Sequence, residues 1–405
     1  MGENWNSGSL AMAGVFSSPT GSGKSVNQTS HLLFASCAPG LEPLLQAELV
    51  ELGLGGELRE GGVEVRTTTD GLYRIVRGSA LAEGVRVRLK AFVARDFETL
   101  KVGAAKLPWR AYLRAGQRAS VRAVCHRSRL WHSGAVEQRV AEVLRERAGV
   151  EVVDARGEPE PGAESETVDE EALLVHVRIS GDAVQISVDA AGRLHRRGYR
   201  SHVERASLRE TLAAALVRVA VETATAPPRA IWDPFCGAGT VAFEAARYFA
   251  GVAPGVERAA PLERWPTHDA VAWERAAEQL GVQLGARRPA IPPLVIGSDH
   301  AGRAIDAATH NAQAAGAAVE LRLGDFAAEA ARVPEGAWIV SNPPYGERLD
   351  NEWLPGFLRL LDSRRDLRPV VLLLGGEAKR QLPGRFRSAL VTKNGGLDVG
   401  VRVLR

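Results

Sequence analysis

The chain has 405 residues, of which 45% are hydrophobic and 24% charged, with a net charge of +3. This length predicts two or three domains, and no apolar run approaches the roughly 18 residues that a membrane-spanning helix needs. The three cysteines, Cys37, Cys125 and Cys236, are too far apart in sequence for a disulfide or metal-ligand pattern. Composition therefore predicts a cytoplasmic protein with no metal site and no membrane association.

Residues 1–30 are rich in Gly and Ser and lack hydrophobic periodicity, so we expect a disordered tail. Within it, residues 18–25 resemble a phosphate-binding loop, but Ser18 stands where that loop has its first glycine. No buried strand is indicated before it and no helix after it, so the helix N-terminus that binds phosphate is missing. We do not expect ATP binding there.

Residues 31–96 show strand and helix patterns in the order β-α-β-α-β, which predicts a ferredoxin-like α+β domain. The strand patterns cover residues 32–35, 63–65 and 85–89, and the helical patterns cover residues 40–52 and 73–80.

Residues 97–190 have the pattern of a second α+β domain. Its elements are a strand at 119–124, a helix at 134–147, and strands at 173–179 and 183–188 that form a hairpin. Residues 151–171 carry nine acidic side chains with Pro and Gly, which indicates a solvated loop or a disordered insert that points away from nucleic acid.

Basic residues are mainly Arg and concentrate at residues 110–129 and 193–209. The first cluster is interleaved with the aromatic residues Trp109, Tyr112 and Trp131. Arg beside aromatic rings can contact phosphates and stack on unpaired bases, although a solvated Arg-rich face has the same composition. The candidate RNA-binding residues are Arg127, Arg129, Trp131, Arg196, Arg197 and Arg200.

Residues 230–249 have the pattern of a strand, a glycine turn and a helix, which opens a nucleotide-binding α/β fold. Gly237 and Gly239 let the backbone approach a ligand, and the helix N-terminus favours a carboxylate. The glycine spacing matches neither the dinucleotide motif nor the Walker motif, which disfavours phosphate. The candidate cofactor contacts in this turn are Asp233, Cys236, Gly237, Ala238, Gly239 and Thr240.

Two later strand patterns also end in acids. The strand pattern at 294–299 ends in Asp299, followed by His300, and an acid here suits ribose hydroxyls. The third strand pattern leads to Asp325 and Phe326, which suit the amino group and the ring of adenine. Each acid alone would equally fit a solvated strand end, so the prediction rests on their order along the chain.

The apolar run 338–340 leads into Asn342-Pro343-Pro344-Tyr345, our candidate catalytic residues. An exocyclic amine on a base is a poor nucleophile because its lone pair is delocalised into the ring. The Asn342 oxygen, also a candidate cofactor contact, and a carbonyl of the proline pair can accept its two N–H groups, while Tyr345 offers a stacking face. The same residue types also suit a simple turn.

These motifs together resemble the class I S-adenosylmethionine-dependent methyltransferases of the N-P-P-Y type. More narrowly, residues 31–405 resemble the bacterial THUMP-domain RNA guanine-N2 methyltransferases, which include 23S ribosomal RNA enzymes. The family usually has Ser and an acid where this chain has Ala238 and His300. Further matching segments are residues 194–200, 207–216, 253–255, 263–266 and 346–348.

The resemblance implies an α/β chain in which a C-terminal Rossmann-like class I methyltransferase domain follows an α+β ferredoxin-like and THUMP RNA-binding region. The implied domains are residues 31–96, 97–190 (THUMP) and 191–405 (methyltransferase). It implies S-adenosylmethionine as cofactor, and RNA, with 23S ribosomal RNA first, as partner. The alternatives are transfer RNA as substrate, or a non-catalytic RNA-binding protein of ribosome assembly.

Overall fold

The structure is a computed structural model that describes residues 30–153, 171–200, 208–345 and 352–405. Two sheets organise these residues, one of nine strands in the N-terminal half and one of seven in the C-terminal half. Residues 1–29 of the predicted tail, most of the acidic stretch and residues 346–348 lie outside the described residues.

The first part of the N-terminal half contains the predicted strands and helices in the predicted order, together with one short strand, β2, that was not predicted. Its elements are β1 (Ser30–Ser36), α1 (Glu42–Glu51), β2 (Glu57–Arg59), β3 (Gly62–Thr68), α2 (Thr69–Gly78) and β4 (Gly84–Arg88). Strand β1 pairs antiparallel with both β3 and β4. Its alternating residues Leu33 and Ala35 are fully buried, as the period of two in a half-buried strand requires.

The second part adds five strands to the same sheet and contains two α-helices. Its elements are β5 (Phe92–Val93), α3 (Phe97–Ala105), β6 (Arg118–His126), α4 (Ser133–Ala148), β7 (Glu151–Val153), β8 (Leu173–Ser180) and β9 (Ala183–Asp189). The predicted hairpin forms between β8 and β9. Strand β9 also pairs with β4, so the sheet runs β2-β3-β1-β4-β9-β8-β6-β7 across the domain boundary expected near residue 97. The ninth strand, β5, pairs with β9 outside this order.

The C-terminal half alternates strands and helices. Its strands are β10 (Ala230–Asp233), β11 (Leu294–Asp299), β12 (Glu320–Leu323), β13 (Trp338–Ser341), β14 (Val370–Gly375), β15 (Arg387–Asn394) and β16 (Leu397–Leu404). Its helices are α5 (Glu210–Thr223), α6 (Thr240–Phe249), α7 (Ala270–Ala286), α8 (Gly302–Ala315), α9 (Phe326–Glu329), α10 (Trp353–Ser363) and α11 (Gly376–Gln381).

The strand order of this sheet is β12-β11-β10-β13-β14-β16-β15. The first five strands are parallel, and β16 is antiparallel to β14 and β15. Strands β10, β13 and β14 are buried throughout, which explains why they have continuous apolar runs. The order in which successive strands are added to the sheet reverses between β10 and β13, and a crevice forms at the carboxyl ends of the strands at such a point.

The two halves pack closely through segments that the sequence singled out without a role. The amide of Gly255 donates to the Arg77 carbonyl at 2.8 Å, and a Cβ on Gly255 would lie 2.5 Å from the Val76 carbonyl oxygen. Trp265 meets Tyr112 edge to face, with ring centroids 4.9 Å apart. Residues 253–255 and 263–266 therefore form a joint between the halves.

Candidate active site

The carboxyl ends of three neighbouring strands are tied together by hydrogen bonds. The amide of Cys236 donates to the Ser298 carbonyl, and that of Gly237 donates to Asp299 Oδ2, both at 3.0 Å. Ser341 Oγ donates to Asp233 Oδ1 at 2.5 Å. These bonds bring the glycine turn, the acid after β11 and the strand before Asn342 to one edge of the sheet.

The glycine turn has the backbone geometry that ligand approach requires. Gly237 and Gly239 have φ angles of +52° and +92°, which favour glycine. A Cβ on Gly239 would strike the Phe243 ring at 2.2 Å, whereas one on Gly237 would meet no atom within 4 Å. Gly239 is thus required for packing, while the space beside Gly237 leaves room for a ligand. Helix α6 begins at Thr240 without a side-chain cap, as an anion-accepting N-terminus does.

The other residues of the turn are buried. Burial raises the pKa of the Cys236 thiol well above its ordinary value, so this side chain is a neutral packing group beside Gly297. The Ala238 carbonyl accepts a hydrogen bond of 3.3 Å from Asn311 Nδ2, and Asn311 is fully buried on α8. Asn311 could not be predicted from the sequence, because a polar residue on a helix does not reveal which loop it contacts.

Asp299 is held by two backbone amides. Its Oδ1 accepts from the Ala301 amide at 2.9 Å, and its Oδ2 accepts from Gly237. Each carboxylate oxygen can accept more than one hydrogen bond, so both keep capacity for ribose hydroxyls. His300 has 79% of its side chain exposed, and its Nδ1 lies 3.5 Å from Asp299 Oδ1.

Asp325 and Phe326 lie at the start of α9, where Asp325 Oδ1 accepts from the Ala327 amide at 2.8 Å. Phe326 is only 8% exposed. Its ring packs against Phe235 and Phe357, with centroids 5.4 and 5.7 Å away. Phe326 thus forms a largely enclosed wall and has little ring surface left for adenine.

Asn342 follows β13 and carries the most informative polar atom of the site. Its Oδ1 is buried and has no hydrogen-bond partner among the residues that the structure describes. The Pro344 carbonyl accepts from Trp353 Nε1 at 3.1 Å. Of the proline pair, we therefore expect the Pro343 carbonyl to be the acceptor for a ligand. Buried hydrogen-bond acceptors are almost always paired, so the unpaired Oδ1 of Asn342 indicates a place where a ligand can donate a hydrogen bond.

Tyr345 is partly buried at the end of the same loop. Its hydroxyl accepts a hydrogen bond of 2.9 Å from Asn394 Nδ2, on β15. Burial raises the pKa of Tyr345, so the phenol is neutral at physiological pH. The ring is thus presented as an uncharged surface beside Asn342.

Three of the predicted RNA-binding residues lie on the loop between β6 and α4. Arg127 and Arg129 are exposed, and Trp131 is 75% exposed. Asp182, in the turn between β8 and β9, accepts from Ser128 Oγ at 2.8 Å and from the Arg129 amide at 2.9 Å. The loop is therefore anchored to the hairpin while the side chains of Arg127, Arg129 and Trp131 face solvent.

The second Arg cluster differs from the prediction. Arg197 is 4% exposed, and its guanidinium donates to the Leu194 and Ala80 carbonyls. Arg200 has a largely buried side chain that donates to the Leu208 carbonyl and lies 3.3 Å from Glu210. The prediction that Arg197 contacts RNA is wrong, because its guanidinium is buried and already donates to backbone carbonyls. Arg200 also donates to a backbone carbonyl. Arg196, by contrast, is exposed.

Trp109 and Tyr112 of the first cluster are also buried, so neither can stack on a base. Among the described residues, no set of three or more His, Cys, Asp or Glu side chains is arranged to hold a metal ion. In the same part of the chain, every helix is too short or too polar to span a bilayer.

Comparisons with known proteins match one segment in each half of the chain. A family profile described as an RMKL-like methyltransferase domain matches residues 197–354, and a profile of the RlmL ferredoxin-like domain matches residues 32–85. A ribosomal RNA large subunit methyltransferase K/L of Syntrophotalea carbinolica is 34% identical over an alignment of 325 residues, which covers 78% of this chain and 44% of that protein. The chain thus spans less than half the length of this relative.

Solved structures share the whole architecture. A Listeria monocytogenes protein, described as a predicted N6-adenine-specific DNA methylase, is 25% identical with a TM-score of 0.73, covering 92% of this chain and 96% of its own. SMU.472, described as a putative methyltransferase complexed with SAH, is 22% identical to this chain with a TM-score of 0.74. The match covers 94% of this chain and 98% of the SMU.472 chain, and at this identity it supports a shared fold alone. Residues 197–354 therefore belong to the RMKL-like methyltransferase domain family, within a Rossmann-like fold, and they follow an RlmL-type ferredoxin-like domain at residues 32–85.

Proposed function

We propose that this chain transfers the methyl group of S-adenosylmethionine to the exocyclic N2 amine of a guanosine in 23S ribosomal RNA. The observation that carries the proposal is the buried Oδ1 of Asn342, which has no hydrogen-bond partner within the described part of the chain. A buried acceptor without a donor costs about 1–3 kcal/mol, which an amino group entering the site would recover. Guanine offers such an amine once the base is extruded from its stack.

The strand ends fit S-adenosylmethionine. The N-terminus of α6 would hold the carboxylate of its amino-acid part, and Asp299 would hold the ribose. The open space at Gly237 allows the backbone approach that both contacts need. When bound, the cofactor supplies a methyl group made electrophilic by the sulfonium.

The residues of the chain then act on the amine. Asn342 Oδ1 and the Pro343 carbonyl accept its two N–H groups and draw the nitrogen towards a tetrahedral geometry. The ring of Tyr345 stacks on the base and fixes its plane. Since the methyl group needs no further activation, holding the two reactants in line supplies most of the rate enhancement.

RNA as substrate is supported by the exposed Arg127, Arg129 and Trp131, which combine charge with an aromatic ring. Large-subunit ribosomal RNA is supported by the description of the 34% identical relative. Residues 346–348, which match the resembled guanine-N2 family in sequence, lie outside the described residues.

The test incubates the protein with tritiated S-adenosylmethionine and, separately, ribosomal RNA and transfer RNA from cells that lack it. The labelled RNA is then digested to nucleosides. We expect label in N2-methylguanosine from large-subunit RNA. Label confined to transfer RNA would move the substrate to that alternative, and label in N6-methyladenosine would contradict the proposed amine. No label despite demonstrated cofactor binding would favour the non-catalytic alternative.

A further inference from the structure

We propose that Asn394 is a positioning residue for the reaction, because it holds the Tyr345 ring in the orientation that receives the base. The inference rests on the proposed function and assigns a task to the C-terminal hairpin, which no motif covers. Asn394 lies 49 residues from Tyr345 in sequence, and its Nδ2 donates to the Tyr345 hydroxyl at 2.9 Å.

A tight turn fixes the place of Asn394. Strands β15 and β16 are joined by Gly395 and Gly396, with φ angles of +56° and +83°, and Asn394 pairs with Leu397 across the turn. Two consecutive positive φ angles are the signature of a type I′ turn, whose twist matches the flanking strands. The backbone of Asn394 therefore has little freedom relative to the sheet.

A second contact limits the ring from the side of the sheet. Gly375 ends β14 and pairs with Val399 of β16. A Cβ on Gly375 would lie 2.9 Å from Tyr345 Cδ2 and 3.3 Å from Val399 Cγ1. The ring thus packs on the one residue of this strand end that has no side chain, and Asn394 anchors its hydroxyl.

This arrangement explains why a tyrosine suits position 345 better than a phenylalanine. The hydroxyl is used for anchoring within the protein, and the part of the ring that remains accessible is what a base can stack on. Without the anchor the ring gains rotational freedom, and a stacked base would be held less well in line with the methyl donor.

The kinetic test compares Asn394→Leu, Tyr345→Phe and the double variant on methyl transfer to RNA. Each single variant removes the same hydrogen bond, so we expect each to lower kcat about tenfold while the Kd for S-adenosylmethionine stays unchanged. The double variant should be no slower than the slower single variant, because residues that share one interaction are not additive.

The matched control is Leu397→Ala, an exposed residue opposite Asn394 in the same turn. It should keep the wild-type kcat. A wild-type kcat for Asn394→Leu, or multiplicative losses in the double variant, would overturn the positioning role.

A spectroscopic readout separates this inference from the proposed function. With tyrosine labelled by ¹³C at Cζ, the Tyr345 signal is assigned by its loss in Tyr345→Phe. The amide donor of Asn394 lowers the pKa of Tyr345 against the larger effect of burial, so Asn394→Leu should shift the signal and raise that pKa further. An unmoved signal would overturn the contact itself. If wild type methylates no RNA, the proposed function fails while the signal still tests the contact.

Discussion

Ser341 Oγ donates a hydrogen bond of 2.5 Å to Asp233 Oδ1, and this contact joins the two loops that flank the crevice. Asp233 ends β10 and precedes the glycine turn, while Ser341 ends β13 and precedes Asn342. Both side chains are buried. The bond therefore fixes the proposed cofactor loop and the proposed catalytic loop relative to each other.

Asp233 should make the stability of the protein depend on pH. Burial raises its pKa from 3.8 to about 7, against the opposing hydrogen bonds from Ser341 and the Phe235 amide. Because the pKa of Asp233 is higher in the folded than in the unfolded protein, the contribution of Asp233 to folding stability is fully present below about pH 4. This contribution is lost as the pH rises through about 7. Asp233→Asn keeps an acceptor for Ser341 and removes this titration.

We expect the unfolding free energy of Asp233→Asn, relative to wild type, to rise by up to about 4 kcal/mol between pH 4 and pH 8. Urea denaturation without cofactor at several pH values measures it. A difference between the two proteins that does not change with pH would contradict the assignment of Asp233 as the titrating group.

Gly255→Ala should weaken the joint between the two halves. The new Cβ would lie 2.5 Å from the Val76 carbonyl oxygen and 2.9 Å from Arg77 Cα, both backbone atoms. We expect a loss of about 1–3 kcal/mol, together with slower RNA methylation and unchanged binding of S-adenosylmethionine. Gly281→Ala in α7 is the control, since its Cβ would meet no atom within 4 Å and should not destabilise the fold.

Trp131→Ala should weaken RNA binding without affecting stability. The side chain is 75% exposed, so little packing is lost, whereas one base-stacking contact is worth about 1–3 kcal/mol. RNA affinity by filter binding and melting temperature measure the two effects. Arg197→Ala is an informative comparison, because the loss of its buried guanidinium should destabilise the fold. Unchanged RNA affinity in Trp131→Ala would remove this loop from the proposed interface.

The strand ends of the site could be predicted from the sequence for a physical reason. Asp233, Asp299 and Asn342 each follow or end a short apolar run, and parallel strands place their carboxyl ends at one edge of a sheet. The pattern therefore predicts their proximity without any knowledge of the contacts between them. The structure brings together the same three residues.

Contacts between distant segments could not be predicted in this way. The pair Gly395-Gly396 predicts a turn, but nothing in the sequence shows that Asn394 reaches Tyr345 or that Trp353 binds the Pro344 carbonyl. The burial of the Arg197 side chain could not be predicted, because a long side chain can bring its charge either to solvent or to buried carbonyls. These features depend on which elements pack together.

Asn342→Ala provides the most direct test of the account, with wild type and variant compared in single-turnover methylation of large-subunit RNA and in binding of S-adenosylmethionine. We expect N2-methylguanosine from wild type. We also expect the variant to bind cofactor within about threefold of wild type but to methylate at least roughly 100-fold more slowly, because the amine has lost its acceptor. Near-normal turnover by Asn342→Ala would contradict the role of Asn342 on which the proposed mechanism depends.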